Sequence, residues 1–391
     1  MAPTDTQTFP IVGIEAVSNM QNAWAALCLR VQPADGDLTA ALHSVFRLPD
    51  VLTAIAPLPA VLMLDSPDVL TESLLESMPA ARVMFAIQAS AMANDAQRNR
   101  LLALQASGYR ILIDGPLPEG VKQHPEMRAV ARDFSNEAPL REVLPLMFGP
   151  HLAHGVNSAA RRAQCARVGY EWFSGDFPLH PEPSSEPNDG SSRKRLMTLL
   201  GLLARDAETR DIETLLKQDP ALSYHLLKLA NSAAFAHSVP ITSFGQAISV
   251  LGRRQLQRWL QLLLYARQQP DGLANPLLPV AALRAAQMEA LCKLDGGERD
   301  DQDLAFMTGV FSLLDLLFAM PMEEIVGTLN LPSLAGDALL TRSGRFGDML
   351  SLTEARSATP AMLEQARIAP QAWWTTQLAA YHWAIQVSRN L

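Results

Sequence analysis

The run from Leu304 to Leu331, LAFMTGVFSLLDLLFAMPMEEIVGTLNL, constrains this chain more than any other stretch. From Asp303 to Met320 its apolar residues fall nearly all round a helix. Such a helix is surrounded by others, in a domain core or a membrane. Thr308, Gly309, Ser312 and Asp315 interrupt the run, and Pro321 ends it, so it is a poor membrane span. The expectation is a central helix from Asp303 to Met320 and a restart at Pro321, with helices packed around it.

The preceding half reads differently. Ile11–Val17, Ala25–Val31, Ala60–Leu64, Arg82–Ile87 and Tyr109–Ile113 are short β-rich runs. Leu38–Phe46, Asp68–Met78 and Asp95–Ser107 carry helical patterns between them, and the alternation continues to Phe173. Strands alternating with helices imply βαβ units and a mostly parallel sheet. About 170 residues is short for eight such units, so some helices or strands should be shrunken or missing. Between the halves lie Pro178, Pro181, Pro183 and Pro187 among Ser, Glu, Asn, Asp and Gly, which reads as a semi-extended tether. After it strand signals vanish. Asp219-Pro220 is a helix start, Ser243 with Gln246 is a capping box, and an all-helical bundle follows to the end. The expected domains are 9–177, a linker at 178–192, and 193–391.

Composition narrows the function. The formal net charge is −8, which argues against general nucleic-acid binding; DNA is not an expected partner. Cys28, Cys165 and Cys292 are far apart and offer neither a disulfide framework nor paired metal spacing. No secretory signal or membrane insertion is expected, and the cytoplasm is the expected location.

Chemistry in a parallel barrel sits at the C-terminal ends of its strands. There the sequence offers Asp114, Asp133, His151 and His154. Asp114 before Gly115-Pro116 reads first as a turn residue, and the two histidines as part of a polar loop after Gly149-Pro150. In the second half no His-Asp dipeptide exists. His225 and His237 read as structural, Arg253, Arg254 and Arg258 as a solvated helix face, and Trp373, Trp374 and Trp383 as anchors of the last helix.

Residues 12–31, 106–115 and 152–177 resemble a degraded EAL domain, the TIM-barrel phosphodiesterase of cyclic di-GMP. The resemblance places the family's Glu-Ala-Leu on Leu27-Cys28-Leu29. A rival register on Glu15-Ala16-Val17 leaves the second strand unexplained. It puts the family's Asp-Asp-Phe on Asp114-Gly115-Pro116, its catalytic lysine at or near Ala131 followed by Asp133, its late glutamate on His154 and its Gln-Gly on Ser174-Gly175. Residues 219–252 and 305–331 resemble the HDOD domain, an all-helical relative of HD hydrolases, with Ser312 and Leu313 where a hydrolase has its His-Asp pair. The resemblance therefore implies an α/β plus all-α protein: a degenerate, incomplete TIM-type barrel followed by an HDOD bundle. It implies loss of metal ligands and base in both halves, hence no enzyme, no cofactor and no resident metal. The expected role is a bacterial signalling scaffold that contacts other signalling proteins in a cyclic di-GMP-linked motility, biofilm or stress pathway. A barrel homodimer is compatible with it, and cyclic di-GMP binding is not expected. The alternatives are a cyclic di-GMP sensor without hydrolysis, and a residual metal-dependent phosphodiesterase using Asp114, Asp133 and His154.

Overall fold

The structure, a computed structural model, describes residues 9–47, 51–136, 143–181, 190–204, 207–216, 231, 241, 243, 245–247, 252–265, 273–329 and 331–390. The chain divides into two compact units, residues 1–182 with 356–378, and residues 183–355 with 379–391.

The first unit is a closed barrel of eight strands: β1 Ile11–Ser18, β2 Trp24–Gln32, β3 Ala60–Leu64, β4 Val83–Gln88, β5 Arg110–Asp114, β6 Val130–Asp133, β7 Leu152–His154 and β8 Trp172–Ser174. β1 runs antiparallel to both of its neighbours, β2 and β8, and the pairings from β2 through β8 are parallel. Strand side chains alternate between faces. The inward set forms an apolar plug that includes Val17, Ala26, Cys28, Val61, Met84, Leu112, Ala131 and Leu152.

The expected shortage falls on the helices, and the strands are complete. Well-formed helices are α1 Leu38–Phe46, α2 Asp95–Ala106 and α3 Ala159–Arg167. Each begins on a side-chain cap: Asp37 accepts from the Ala40 amide, Asn94 from Ala96 and Gln97, and Ser158 from Arg161. Asp68–Met78, which has the pattern of one helix, is a 3₁₀ turn at Pro67–Val69 and a four-residue helix at Glu72–Leu75. Between β5 and β6 there is no helix, and between β6 and β7 the described residues hold only the 3₁₀ turn Leu146–Phe148.

The second unit is helical. Its described elements are α4 Gly190–Ala204, α5 Thr209–Leu216, α6 Arg253–Leu263, α7 Leu277–Leu294, α8 Arg299–Phe311, α9 Leu314–Phe318, α10 Met322–Leu329, α11 Ser333–Thr341 and α12 Gly344–Glu354. The chain ends with α13 Pro360–Gln365 and α14 Pro370–Asn390; α13 and α14 up to residue 378 group with the barrel. Most of the Asp219–Gly252 motif, His225, His237 and most of the linker lie outside the described residues. Of that motif, the Gln246 amide donates to Ser243 Oγ at 3.3 Å, as the capping box requires.

The central run departs from a single helix. α8 stops at Phe311. The Ser312 hydroxyl bonds back to the Gly309 carbonyl at 2.8 Å, the short α9 follows, and Ala319 closes it with φ 48°. A hydroxyl bonded back to a main-chain carbonyl of the preceding turn slightly destabilises a helix and often bends it. Of the arginines of α6, Arg253 is exposed as expected, but Arg254 and Arg258 are not a solvated face. Arg258 binds Glu289 at 2.5 and 3.0 Å and Asp303 at 2.9 Å, Arg254 also binds Asp303, and the Arg258 guanidinium lies 4.6 Å from the Phe306 ring centroid. This network ties α6, α7 and α8 together. Trp383 packs on Trp259 at 5.9 Å and edge-on to Phe306 at 5.4 Å, which is an anchoring role. Trp373 and Trp374 are buried.

Candidate functional site

Period-two alternation carries the inward face of each strand upward to the barrel mouth. From Leu112 it reaches Asp114, from Ala131 Asp133, from Leu152 His154, from Ala86 Gln88 and from Cys28 Arg30. β1 runs the other way, so Glu15, two residues before inward Val17 and opposite Cys28, joins the same end. Ala131 itself is part of the apolar plug beneath.

The centre of the site is a buried Asp–His contact. His154 Nε2 lies 2.9 Å from Asp114 Oδ1, and Gln88 Nε2 donates to Asp114 Oδ2 at 3.2 Å. Asp114 and His154 are both buried. On its other side His154 Nδ1 is 4.0 Å from Asp133 Oδ1. Asp133 is more open. Burial acts to raise its carboxyl, but the Ser135 amide and hydroxyl, then His154, outweigh that and hold it below its ordinary value. The turn reading of Asp114 is therefore corrected: it is the last residue of β5, and the turn belongs to Gly115, whose φ of 91° suits glycine. The loop reading of His154 is corrected too, because it closes the three-residue strand β7. His151 is structural: its Nδ1 accepts from the Val130 amide at 3.3 Å and its Nε2 lies 3.1 Å from the Pro145 carbonyl.

Leu27 is not the mouth position of β2. Ala26 and Cys28 point inward, so Leu27, fully buried, faces the surrounding layer. Glu15, the acid of the rival register, is the one that does reach the mouth. Its Oε1 is buried and has no hydrogen-bond partner among the described residues; the same holds for Ser174 Oγ at the end of β8. Gly175 beside it has φ 133°, and a Cβ there would strike the Val156 backbone.

Burial is the main reason the Glu15 carboxyl is held above its ordinary value; Arg356, then His154 and Arg30, work against it. The folded state therefore holds this proton more tightly than the unfolded chain. Stability from this group is fully present below the ordinary carboxyl value and is lost as pH rises through the raised one. Glu15→Gln should therefore match the parent in thermal melts near pH ~4 and exceed it at pH ~7. Equal melting differences at both pH values would contradict the burial argument.

A metal-dependent phosphodiesterase needs several carboxylates converging on one or two hard cations. This donor set does not fit that demand. Asp114 is engaged by Gln88 and His154, β2 presents Ala26 and Cys28, and among the described residues no three His, Cys, Asp or Glu side chains converge as metal ligands.

In the helical unit, Ser312 and Leu313 are core residues. Ser312 accepts from Arg284 Nη1 at 3.0 Å. Arg284 is buried and reaches Glu354 Oε1 at 3.2 Å, and Arg342 binds the same carboxylate at 2.8 and 2.9 Å. Burial lowers the Arg284 guanidinium and Glu354 opposes that. Nearby Asp315 keeps one buried oxygen without a partner among the described residues.

Residues 193–310 match the HDOD domain. The chain is also homologous to the uncharacterized protein YuxH of Bacillus subtilis, 28% identical over 206 residues, which are 52% of this chain and 50% of that protein. The cyclic di-GMP phosphodiesterase CdgJ of Vibrio cholerae is 30% identical over 207 residues, 52% of this chain and 47% of that protein. The chain thus spans about half the length of the curated relatives it matches. Among solved structures, the YkuI protein of Bacillus subtilis, with an EAL domain and in complex with c-di-GMP and calcium, aligns at TM-score 0.33 and 10% identity, covering 62% of this chain and 71% of that one. Among the described residues no helix is long and apolar enough to cross a membrane.

Proposed function

We propose that this protein is a non-catalytic signalling regulator in a cyclic di-GMP-linked pathway, acting through contacts with other signalling proteins. The observation that carries this reading is the state of Asp114. It is the acid that the EAL resemblance retains on β5, and it is buried, hydrogen-bonded by Gln88 and held by His154. A carboxylate so engaged is a poor ligand for a hydrated divalent cation, and β2 supplies Ala26 and Cys28 where a second acid would be needed. The HDOD match in the second half and homology to CdgJ support the pathway. A second reading keeps the barrel as a sensor that binds cyclic di-GMP without cutting it. It is favoured by the homology to a cyclic di-GMP phosphodiesterase and by Arg30, which stands exposed at the mouth end of β2 and can pair with a phosphate.

Calorimetry of the full chain with cyclic di-GMP, with and without Mg²⁺, separates the readings. The regulator gives no binding heat and no hydrolysis product in either condition. A micromolar dissociation constant, about −8 kcal/mol, establishes the sensor. Metal-dependent release of linear product overturns both.

A further inference from the structure

Four carboxylates stand at the mouth end of the barrel: Glu15 on β1, Asp114 on β5, Asp133 on β6 and, just after β8, Asp176, with the exposed Arg30 of β2 at the same end. Two buried polar atoms there, Glu15 Oε1 and Ser174 Oγ, lack hydrogen-bond partners among the described residues. Ser174 is fully buried and, two residues beyond Trp172, which packs on the inner plug, faces the mouth. These atoms call for a hydrogen-bond donor, and Asp133 and Asp176, the two well-exposed acids, for a cation.

The chain supplies one cation from its own C-terminal part. Arg356 Nη2 pairs with Asp176 Oδ2 at 3.1 Å. It is also the charge that acts most strongly on Glu15. The next residue, Ser357, sets its hydroxyl 3.2 Å from where a Cβ on Gly13 would lie, and buried Gln377 donates to the Val12 carbonyl at 3.2 Å. Both ends of 356–377 are thus fixed to the mouth end of β1, and α13 lies between them. The Arg356–Asp176 pair is about half exposed on each side, so it is a weak and exchangeable latch.

We propose that this acidic mouth is a docking surface for an arginine-bearing segment of a protein partner, and that residues 356–377 occupy its rim in the unpartnered chain through Arg356. The inference deepens the protein-contact reading, on which it rests. It names the surface, the complementary charge of the partner, and the internal segment that competes with it.

The test uses the full chain and a synthetic peptide of residues 355–367 (ARSATPAMLEQAR) as the guanidinium probe. Arg356→Ala should bind this peptide about fivefold tighter than the parent, whose rim is already filled. The gain should vanish when Asp176→Asn is added, and when the peptide carries citrulline in place of its first arginine. Hydrogen exchange in 357–377 should rise in Arg356→Ala while that in β4 and β5 stays unchanged, which shows the barrel intact. Equal peptide binding by parent and variant, or a gain that survives Asp176→Asn, overturns the proposal. If Arg356→Ala instead gains affinity for cyclic di-GMP and not for the peptide, the strap guards a phosphate site and the arginine-segment proposal fails. Hydrolysis of cyclic di-GMP by the parent chain would overturn the regulator reading while leaving the peptide result to be judged on its own outcome.

Discussion

Glu354→Ala should destabilise the helical unit by about 3 kcal/mol, the lower end of what breaking a buried ion pair costs. Arg284 is 7% exposed and sits on α7 among core side chains. Its charge is balanced by Glu354 at the end of α12, and its other described partner is the neutral Ser312 hydroxyl. Removing the carboxylate leaves the guanidinium in a low-dielectric core without its ion-pair partner, with only the more weakly acting Asp315 as a nearby acid, and it also frees Arg342. Glu354→Gln keeps an acceptor and the shape but loses the charge, so it should fall between parent and alanine variant. Arg284→Met in the Glu354→Ala background should recover much of the loss, because an apolar side chain of similar length needs no counter-ion. Urea unfolding followed by tryptophan fluorescence suits the measurement, since Trp259 and Trp383 stack within this unit. A Glu354→Ala midpoint within about 0.5 kcal/mol of the parent, or no recovery on adding Arg284→Met, would mean that the pair is solvated.

How far these features are legible in the sequence differs between the halves for physical reasons. β3 is readable to the residue, because Ala60–Leu64 is buried along its whole length and bounded by breakers. β7 is not. Three residues, Leu152–His154, are too few for any period to register, and they hold their place through pairing with β6 and β8. Without β7 the meaning of His154 is lost as well, since a histidine in a loop gives no hint of a carboxylate 40 positions earlier. Glu15 is legible only as the rival register, because a parallel βαβ reading gives each strand the same direction. The antiparallel β1 brings the start of one strand and the end of the next to the same mouth, so both registers for the Glu-Ala-Leu motif lie beside each other, as the Glu15–Cys28 pairing records. The break after Phe311 is hidden for a different reason. Leu313, Leu314 and Phe318 are all buried beyond it, as Phe311 is before it, and the hydrophobic pattern runs straight through the break at Ser312 and Leu313. Position 354 carries no signal at all, because a glutamate at the end of an amphipathic helix reads as solvent-facing until the arginine opposite it is known.

Gly309→Ala should cost about 2 kcal/mol, although alanine is the better helix former. In an isolated helix the exchange gains about 1 kcal/mol. Here Gly309 lies on α8 where it crosses α7, and a Cβ at this position would come to 2.7 Å from Ala285 Cα, 2.8 Å from Ala285 N and 2.8 Å from the Arg284 carbonyl carbon. All three are main-chain atoms, so no rotamer change relieves the contact and the two helices must move apart. Overpacking of this kind costs about 1–3 kcal/mol or more, which outweighs the propensity gain. Separation would also stretch the Arg284–Ser312 hydrogen bond at the same crossing, so the loss should be coupled to that of Glu354→Ala, with the double variant less destabilised than the sum. Gly327 supplies the opposite sign within the same unit. It lies on the exposed side of α10, and a methyl group there would have nothing within 4 Å of it, so Gly327→Ala should stabilise by about 0.5–1 kcal/mol. Chemical unfolding of the two variants side by side is decisive: shifts of the same sign would mean that the α7–α8 crossing is not backbone-tight, and a Gly309→Ala loss that adds fully to Glu354→Ala would mean that the crossing and the buried ion pair are independent.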